Sequence, residues 1–417
     1  MPVPILALCL VAASAEAPCP GFASQVPGLF APSSSTGRTT SDLDRPASEG
    51  GLAGTSCGPI VTGLENPGPV WRHGTLLFVG NNEDNEAKTV TVVDVTTPGG
   101  EFVVETIATP VDPVDIAVAI DRLYVIDSKR DALWSRALSG GAWSSIALPN
   151  GTIQEWDYGH IIEPLGDRMY VIHQWENKID VVDLVNGVVE STITDVDHLP
   201  DRVVFWEDKL VVLGVGLDAP SCAANGPHFS VYTLPGHTKL YRKSIAGNCP
   251  QELLVRDGFV WVNFNNVIRR YQLSDGAFLN QLVVAGIGRN AVHRGADIIG
   301  QKSTGEIVRI EPDLASAATL CDLVGAQVWF PPLEQMAAMG LADGRVFVTN
   351  RNNDTLDRVA LDPVCPADLD GNGTIDGADL GILLGQWGGP GTADLDGSGT
   401  VDGADLGALL GAWGACG

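Results

Sequence analysis

Positively charged side chains are scarce in this chain of 417 residues. It has 25 Lys and Arg against 51 Asp and Glu, a formal net charge of −26. Affinity for nucleic acid and for anionic lipid comes mainly from clustered Lys and Arg, so both are poor candidate partners. Beyond the N-terminus, no run approaches the ~18 apolar residues that a transmembrane helix needs, and we expect no membrane span.

Recognisable catalytic motifs are also missing. The sequence contains no G-x-S-x-G, no H-E-x-x-H, no Walker loop and no dinucleotide-binding fingerprint. None of its eight cysteines forms a C-x-x-C pair, so zinc and thioredoxin-like chemistry have no support. Sequence motifs alone therefore indicate no class of enzyme.

The N-terminal residues 1–17 form a short apolar stretch that ends in small residues. Ala15-Glu16-Ala17 fits an A-x-A cleavage site, which predicts a signal peptide over 1–17. Cleavage after Ala15 and a buried N-terminal strand are the alternatives. With a signal peptide, the protein would be secreted, extracellular or associated with the cell surface.

An exported protein can form disulfide bonds, because the extracellular environment is oxidising. Cys365 and Cys416 stand at the two ends of the last segment, and we expect them to be bonded. Cys222 and Cys249 should close an insertion in the fourth repeat unit, although buried, inert thiols are an alternative. Three further cysteines outside the signal peptide have no assigned pairing: Cys19, Cys57 and Cys321.

The middle of the chain is repetitive. Residues 18–57 are rich in Ser, Thr, Gly and Pro and are interpreted as an arm or linker. Over 58–364, short β-branched runs recur, each after a turn with Asp or Gly. Seven of these runs mark the repeat: Thr75–Val79, Arg122–Ile126, Arg168–Ile172, Lys209–Leu213, Phe259–Val262, Asp297–Ile299 and Arg345–Val348.

These runs begin 47, 46, 41, 50, 38 and 48 residues apart. A unit of ~40–50 residues with four short strands is typical of a β-propeller blade. The sequence therefore predicts an all-β fold, a seven-bladed β-propeller, with an open array of β-sandwiches as the alternative. We expect the ring to close by pairing of Pro59–Thr62 with the strand that contains Asp357–Leu361, because closure removes two exposed sheet edges.

Three units share an Asn-containing turn between two β-rich runs. The segments are Tyr170–Asp183, Val346–Ala360 and Val79–Asn82 with Val90–Asp94. This pattern resembles the YVTN/NHL-type propeller repeat, from which units four and six depart. The resemblance implies a scaffold and no particular chemistry.

Residues 365–417 contain eight Asp but no Lys, Arg, Glu or His, and form two copies offset by 26 residues. Ca²⁺ takes six to eight oxygen ligands, which a 12-residue loop supplies from positions 1, 3, 5, 7, 9 and 12. The pattern predicts two Ca²⁺ ions as cofactors. The predicted ligands are Asp368, Asp370, Asn372, the carbonyl of Thr374, Asp376 and Asp379, and then Asp394, Asp396, Ser398, the carbonyl of Thr400, Asp402 and Asp405.

Each loop should lead into one helix with an apolar stripe, Leu380, Leu383, Leu384 and Trp387 in the first copy. Ile375 and Val401, at position 8, are expected to pair the two loops. A duplicated loop and exit helix with Asp at position 12 resembles a type I dockerin, a small α-helical, EF-hand-like module. The resemblance implies a cohesin-like or other extracellular scaffold protein as partner, chosen partly through positions 10 and 11, here Gly377-Ala378 and Gly403-Ala404.

Dockerins often accompany polysaccharide-degrading enzymes, which makes polysaccharide a second candidate ligand. Candidate active-site residues near the starts of inner strands are Asp115, Asp201, Glu252, Glu334, His160, His198 and His293. Four tryptophans could stack on sugar rings or, alternatively, pack within the blades: Trp156, Trp175, Trp206 and Trp261. The sequence favours a secreted, non-enzymatic propeller scaffold docked through a calcium-dependent module. The alternative is an extracellular carbohydrate-active hydrolase or lyase with its site in the propeller.

Overall fold

The computed structural model describes residues 56–82, 88–96, 100–127, 131–149, 161–214, 226–246, 250–264, 266–294, 297–323, 336–338 and 345–360. In the C-terminal segment it describes residues 367, 369, 374–389, 393, 395 and 400–415. The predicted signal peptide and nearly all of the predicted arm lie outside these ranges. The four cysteines with expected pairings also lie outside these ranges, so both pairings stay predictions: Cys222, Cys249, Cys365 and Cys416.

The described part of residues 56–360 forms seven four-stranded antiparallel sheets. In chain order the strands are β1 (Ser56–Thr62), β2 (Pro67–His73), β3 (Leu76–Asn82), β4 (Lys88–Asp94), β5 (Phe102–Ala108), β6 (Asp115–Ala119), β7 (Arg122–Ile126), β8 (Ala132–Ala137), β9 (Ser144–Ala147), β10 (Ile162–Leu165), β11 (Arg168–His173), β12 (Lys178–Asp183), β13 (Val188–Ile193), β14 (Pro200–Trp206), β15 (Lys209–Gly214), β16 (His228–Thr233), β17 (Lys239–Ser244), β18 (Glu252–Arg256), β19 (Phe259–Phe264), β20 (Val267–Gln272), β21 (Phe278–Val283), β22 (Ile287–Arg294), β23 (Asp297–Lys302), β24 (Glu306–Ile310), β25 (Ala317–Asp322), β26 (Met336–Ala338), β27 (Arg345–Asn350) and β28 (Thr355–Ala360).

Each sheet is one propeller blade. Blades 1 to 6 are built in sequence order, from β2–β5 to β22–β25, and blade 7 combines β26, β27 and β28 with β1. The seven β-rich runs of the sequence are the second strands of the seven blades, so the prediction of a seven-bladed propeller is confirmed. Tight hairpins join first and second strands, as at Asp257 and Gly258, whose φ angles of 50° and 75° suit a type I′ turn.

The ring closes where the N-terminal strand joins the last blade. Strand β1 pairs antiparallel with β28, with Pro59 opposite Asp357 and Thr62 opposite Thr355. The first strands of neighbouring blades also contact one another around the ring. The predicted closure is therefore confirmed, and the sheet edge of the last blade is covered.

Apolar side chains are buried between blades. Among the described residues of the propeller, each of seven core clusters joins two consecutive blades. The cluster at the closure brings Val61 and Leu356 of blade 7 against Leu77 and Val93 of blade 1. A β-branched strand that is apolar on both faces suits this architecture, because each sheet has a blade on either side.

Two polar connections reinforce the closure. Glu101, just before β5 of blade 1, accepts hydrogen bonds from Arg345 of β27 at 3.1 Å and from Arg358 of β28 at 2.8 Å. A disulfide joins Cys57 of β1 to Cys321 of β25, with 6.2 Å between the Cα atoms. The disulfide links the outer strands of blades 7 and 6, and it pairs two of the cysteines that the sequence left unassigned.

The C-terminal segment contains the two helices of the described chain, α1 (Gly377–Gly385) and α2 (Gly403–Gly411), and the strands β29 (Thr374–Ile375) and β30 (Gly414–Ala415). Ile375 lies opposite Gly414, and Val401 exchanges backbone hydrogen bonds of 2.9 Å with Gly388 and Gly389. Ile375 and Val401 therefore do not pair through their backbones, because the backbone of each loop pairs with the segment after the other helix. Their side chains lie in one hydrophobic cluster, so the expected link between the two loops is made by side-chain packing.

In the described part of the chain, no helix has the length and apolar character needed to cross a membrane.

Candidate functional site

A cluster of charged side chains lies on the inner strands of blades 2 to 5. Asp115 begins β6 and is 2% exposed. Its Oδ1 accepts the backbone N–H of Ile116 at 2.9 Å. Its Oδ2 accepts those of Ile161 and Ile162, where the next blade begins, at 2.6 and 3.0 Å. One buried carboxylate thus ties two neighbouring blades together.

Burial raises the pKa of Asp115 to about 6, against the opposing effects of the three backbone hydrogen bonds and the charge of Arg202. Arg202 of β14 forms an ion pair with buried Glu252 of β18, which also accepts the backbone N–H of Leu253 at 2.8 Å. Among the described strands, backbone hydrogen bonds join strands within each sheet but do not join one of these sheets to the next. The side chains of this cluster therefore link the inner strands of neighbouring blades.

Glu163 of β10 is the fourth member of this group. Burial raises its pKa to about 8; the charge of Arg202 opposes this shift, and the carboxylates of Asp115 and Glu252 add to it. At neutral pH, Glu163 therefore keeps its proton while most of Asp115 is ionised. A carboxylic acid beside a carboxylate is the arrangement that general acid–base chemistry uses. However, both oxygens of Asp115 are engaged by backbone N–H groups, which favours a bracing role.

The other predicted candidates lie elsewhere. Asp201 accepts a hydrogen bond of 3.1 Å from Gln174. His293 lies near the far end of β22, 5.1 Å from the ring of Trp261, and burial lowers its pKa to about 4. Its predicted placement at a strand start is wrong, because β22 begins six residues earlier, at Ile287. Glu334 and His160 lie outside the described residues.

Of the four candidate tryptophans, two pack within the blades, one is exposed and one lies outside the described residues. Trp261 is buried, and its indole N–H donates to the carbonyl of Pro312 at 3.0 Å. Trp206 packs against the core between blades 4 and 5. Trp175 is exposed in the turn between β11 and β12. Trp156 lies outside the described residues. Blade packing thus accounts for Trp206 and Trp261, and Trp175 is free to contact a ligand.

The C-terminal segment contains a second candidate site, built from one carboxylate arrangement used twice. Asp376 caps α1 and accepts the backbone N–H of Ala378 at 2.8 Å. Asp379, three residues on, accepts the N–H of Asp376 at 2.8 Å and that of Leu369 at 2.6 Å. The bond to Leu369 ties position 2 of the predicted loop to position 12.

The second copy repeats this arrangement. Asp402 caps α2 and accepts from Ala404 at 2.8 Å. Asp405 accepts from Asp402 and from Leu395, both at 2.7 Å. Asp379 and Asp405 are fully buried, in a segment without a single basic residue. Buried carboxylates are stabilised by hydrogen bonds, by ion pairs or by a bound cation, and backbone N–H groups donate to both of these side chains.

Six of the twelve predicted calcium ligands are among the described residues: Thr374, Asp376, Asp379, Thr400, Asp402 and Asp405. The remaining six lie outside them: Asp368, Asp370, Asn372, Asp394, Asp396 and Ser398. Within the described part, no three His, Cys, Asp or Glu side chains form a metal-binding group. The oxygen-only donor set nevertheless suits Ca²⁺.

Sequence reasoning missed several residues. Glu163 and Arg202 were not among the candidates, nor were Glu101, Arg345 and the Cys57–Cys321 bond. The signal that could have identified Glu163 is a charged residue directly after the buried pair Ile161-Ile162 at the start of a repeat unit.

The seven closed blades define the described part of 56–360 as a seven-bladed β-propeller. No protein-family model matches the sequence, and no curated protein matches it. Solved structures to which this chain is similar include BamB from Moraxella catarrhalis, 12% identical, with a TM-score of 0.48 over 70% of this chain and 82% of that one. The computationally designed Ika8 protein is 11% identical, with a TM-score of 0.48 over 72% and 87% of the two chains. Such likeness concerns the fold alone and assigns no function.

Proposed function

We propose that this chain is a secreted, non-enzymatic propeller scaffold that docks onto an extracellular partner through a calcium-dependent, dockerin-like module over 365–417. A signal peptide over 1–17 would export it. The observation that carries the proposal is the duplicated placement of Asp376–Asp379 and Asp402–Asp405, each pair at the junction of a predicted calcium loop and a helix.

Calcium would bring positive charge to a segment that has eight Asp and no basic side chain. The segment holds a charge of −8 from its eight Asp, and two Ca²⁺ would halve it. Asp379 and Asp405 close their loops by accepting the N–H groups of Leu369 and Leu395, and each also completes the cap of its helix. Loop closure and helix capping therefore depend on the same side chains, which supports folding that depends on calcium.

Calcium titration of the full-length chain by isothermal calorimetry, after removal of metal, tests this proposal. We expect two ions per chain, one for Asp379→Ala and none for Asp379→Ala with Asp405→Ala. Asp313→Ala is the matched control, because Asp313 also caps a turn through the N–H of Ala315, at 2.9 Å, but lies in the propeller. A wild-type stoichiometry in the double variant would contradict the proposal.

Docking is tested separately, with an immobilised cohesin-type module as the probe. Binding of the wild type in calcium that is lost in chelator and in the double variant would support the proposed partner class. Equal binding of the double variant would refute it.

One observation favours the second candidate function, a carbohydrate-active hydrolase or lyase. Glu163 and Asp115 have pKa values near 8 and 6, so an acid and a base stand in the same cluster at neutral pH. Activity on a panel of polysaccharides that disappears in Glu163→Gln would establish this alternative. A wild type without activity on the panel would leave the scaffold role.

A further inference from the structure

The apolar stripes of the two C-terminal helices are only half buried. Leu383 and Leu409 are fully buried in the core shared by the two repeats. The next residues of the predicted stripe, Leu384 and Leu410, are 53% and 51% exposed, and Trp387 and Trp413 are both 48% exposed. The sequence pattern predicted an apolar stripe on each helix but not how much of it would be buried.

These four side chains form two equivalent pairs, called here the Leu–Trp patches. Leu384 and Trp387 belong to the first repeat, and Leu410 and Trp413 stand 26 residues later in the second. Leu384 and Trp387 are three residues apart at the end of α1, and the backbone N–H of Trp387 donates a hydrogen bond of 3.4 Å to the carbonyl of Leu384. Single exposed apolar residues are ordinary, but matched pairs with a tryptophan are typical of interaction surfaces.

The loop positions of this module offer little to a partner. Gly377, Ala378, Gly403 and Ala404 are all exposed and carry no side-chain hydrogen-bonding group. Polar recognition at positions 10 and 11, which the dockerin resemblance implies, is therefore not available here. Among the described residues of the C-terminal segment, the Leu–Trp patches contain the large exposed apolar side chains.

Charge identifies the kind of partner. Residues 365–417 have no basic side chain and hold −8, or −4 with the two proposed Ca²⁺ bound. The chain's −26 less the −8 leaves −18 on residues 1–364. A second copy of the chain, or its own propeller, would therefore meet the module with charge of the same sign. Like charges suppress association, whereas a basic border on the partner would favour it.

We propose that the two Leu–Trp patches are the docking surface of the C-terminal module, and that they bind a partner protein through an apolar helix face bordered by Lys and Arg. This inference rests on the proposed docking function and adds the recognising residues and the chemistry of the partner. Aromatic side chains buried at the centre of an interface are frequent hot spots, so the two tryptophans should contribute most of the affinity.

The test uses the full-length chain in calcium and a helical peptide of about 18 residues as the probe, with Leu on one face and Lys along its borders. A matched peptide has Glu in place of Lys. The patch variant combines Leu384→Gln, Trp387→Gln, Leu410→Gln and Trp413→Gln. The control variant replaces four exposed apolar side chains of the propeller, Val185, Val188, Phe278 and Val283, with Gln.

We expect the patch variant to bind the Lys-bordered peptide at least ~30-fold more weakly than the wild type, and the control variant to bind it like the wild type. The Glu-bordered peptide should bind neither. Equal binding by the patch variant would show attraction by charge alone and would overturn the proposal, as would tight binding of the Glu-bordered peptide. Failure of calcium binding in the earlier titration would refute the proposed function, whereas failure of this peptide test with calcium bound refutes the inference alone.

Discussion

Replacing Glu101 with Gln should strongly destabilise the closed propeller. Glu101 accepts hydrogen bonds from Arg345 and Arg358, and both Glu101 and Arg345 have side chains only 4% exposed. Gln keeps the shape but removes the negative charge between two guanidinium groups. Removing one partner of a buried ion pair costs about 3–5 kcal/mol, because the other charge is left buried and uncompensated. The triad links blades 1 and 7, so we expect this loss in the free energy of unfolding of the whole ring.

Urea unfolding followed by circular dichroism measures the difference against a matched control. Glu190→Gln removes the carboxylate that pairs with Arg168 at 2.8 Å, but those side chains are 45% and 40% exposed. An exposed pair contributes about 0.2–1 kcal/mol, so the control should unfold nearly as the wild type does. If Glu101→Gln and Glu190→Gln lost the same small amount, the argument that burial of the triad stabilises the closure would be refuted.

Three further predictions concern pH, the disulfide and the first predicted calcium loop. Burial raises the pKa of Glu163 from 4.5 to about 8, so the folded state holds this proton more tightly than the unfolded chain. Its contribution to stability should fall as pH rises from about 4.5 through 8, and Glu163→Gln should remove that slope in urea unfolding; an unchanged slope would contradict the shift. Cys57 and Cys321 close a loop of 264 residues, so reduction should cost about 3–5 kcal/mol in the wild type and nothing in Cys57→Ser with Cys321→Ser. Asp379→Ala should lower the helix content in calcium, because the cap of α1 is lost, whereas an unchanged far-ultraviolet spectrum would argue against that role.

Local patterns in the sequence predicted most of the propeller. Runs such as Arg122–Ile126 and Lys209–Leu213 are second strands because each lies between two other strands and has a blade on either face, which requires a continuous apolar run. Closure by Pro59–Thr62 was predictable because the seventh repeat unit lacks a fourth strand. These features depend on neighbours in sequence or on the requirement that no edge remains open.

The charged clusters could not be predicted in the same way. Arg202 and Glu252 are 50 residues apart, and the spacing of repeats does not determine which inner-strand side chains meet. The Cys57–Cys321 bond spans 264 residues, so its pairing depends on the closed ring. In the C-terminal segment, the period of Leu383, Leu384 and Trp387 indicates a helix but not how much of its face is covered. The period therefore did not predict that Leu383 would be buried while Leu384 and Trp387 are about half exposed.

The central claim is that the C-terminal module depends on calcium while the propeller does not, and hydrogen–deuterium exchange on the full-length chain tests it most directly. In calcium, the amides of α1 and α2 should be protected, and chelator should abolish that protection. The amides of β15, in the middle of blade 4, should exchange equally slowly in both conditions, because their hydrogen bonds to β14 and β16 involve no metal. Protection of α1 and α2 that persists in chelator would contradict the account.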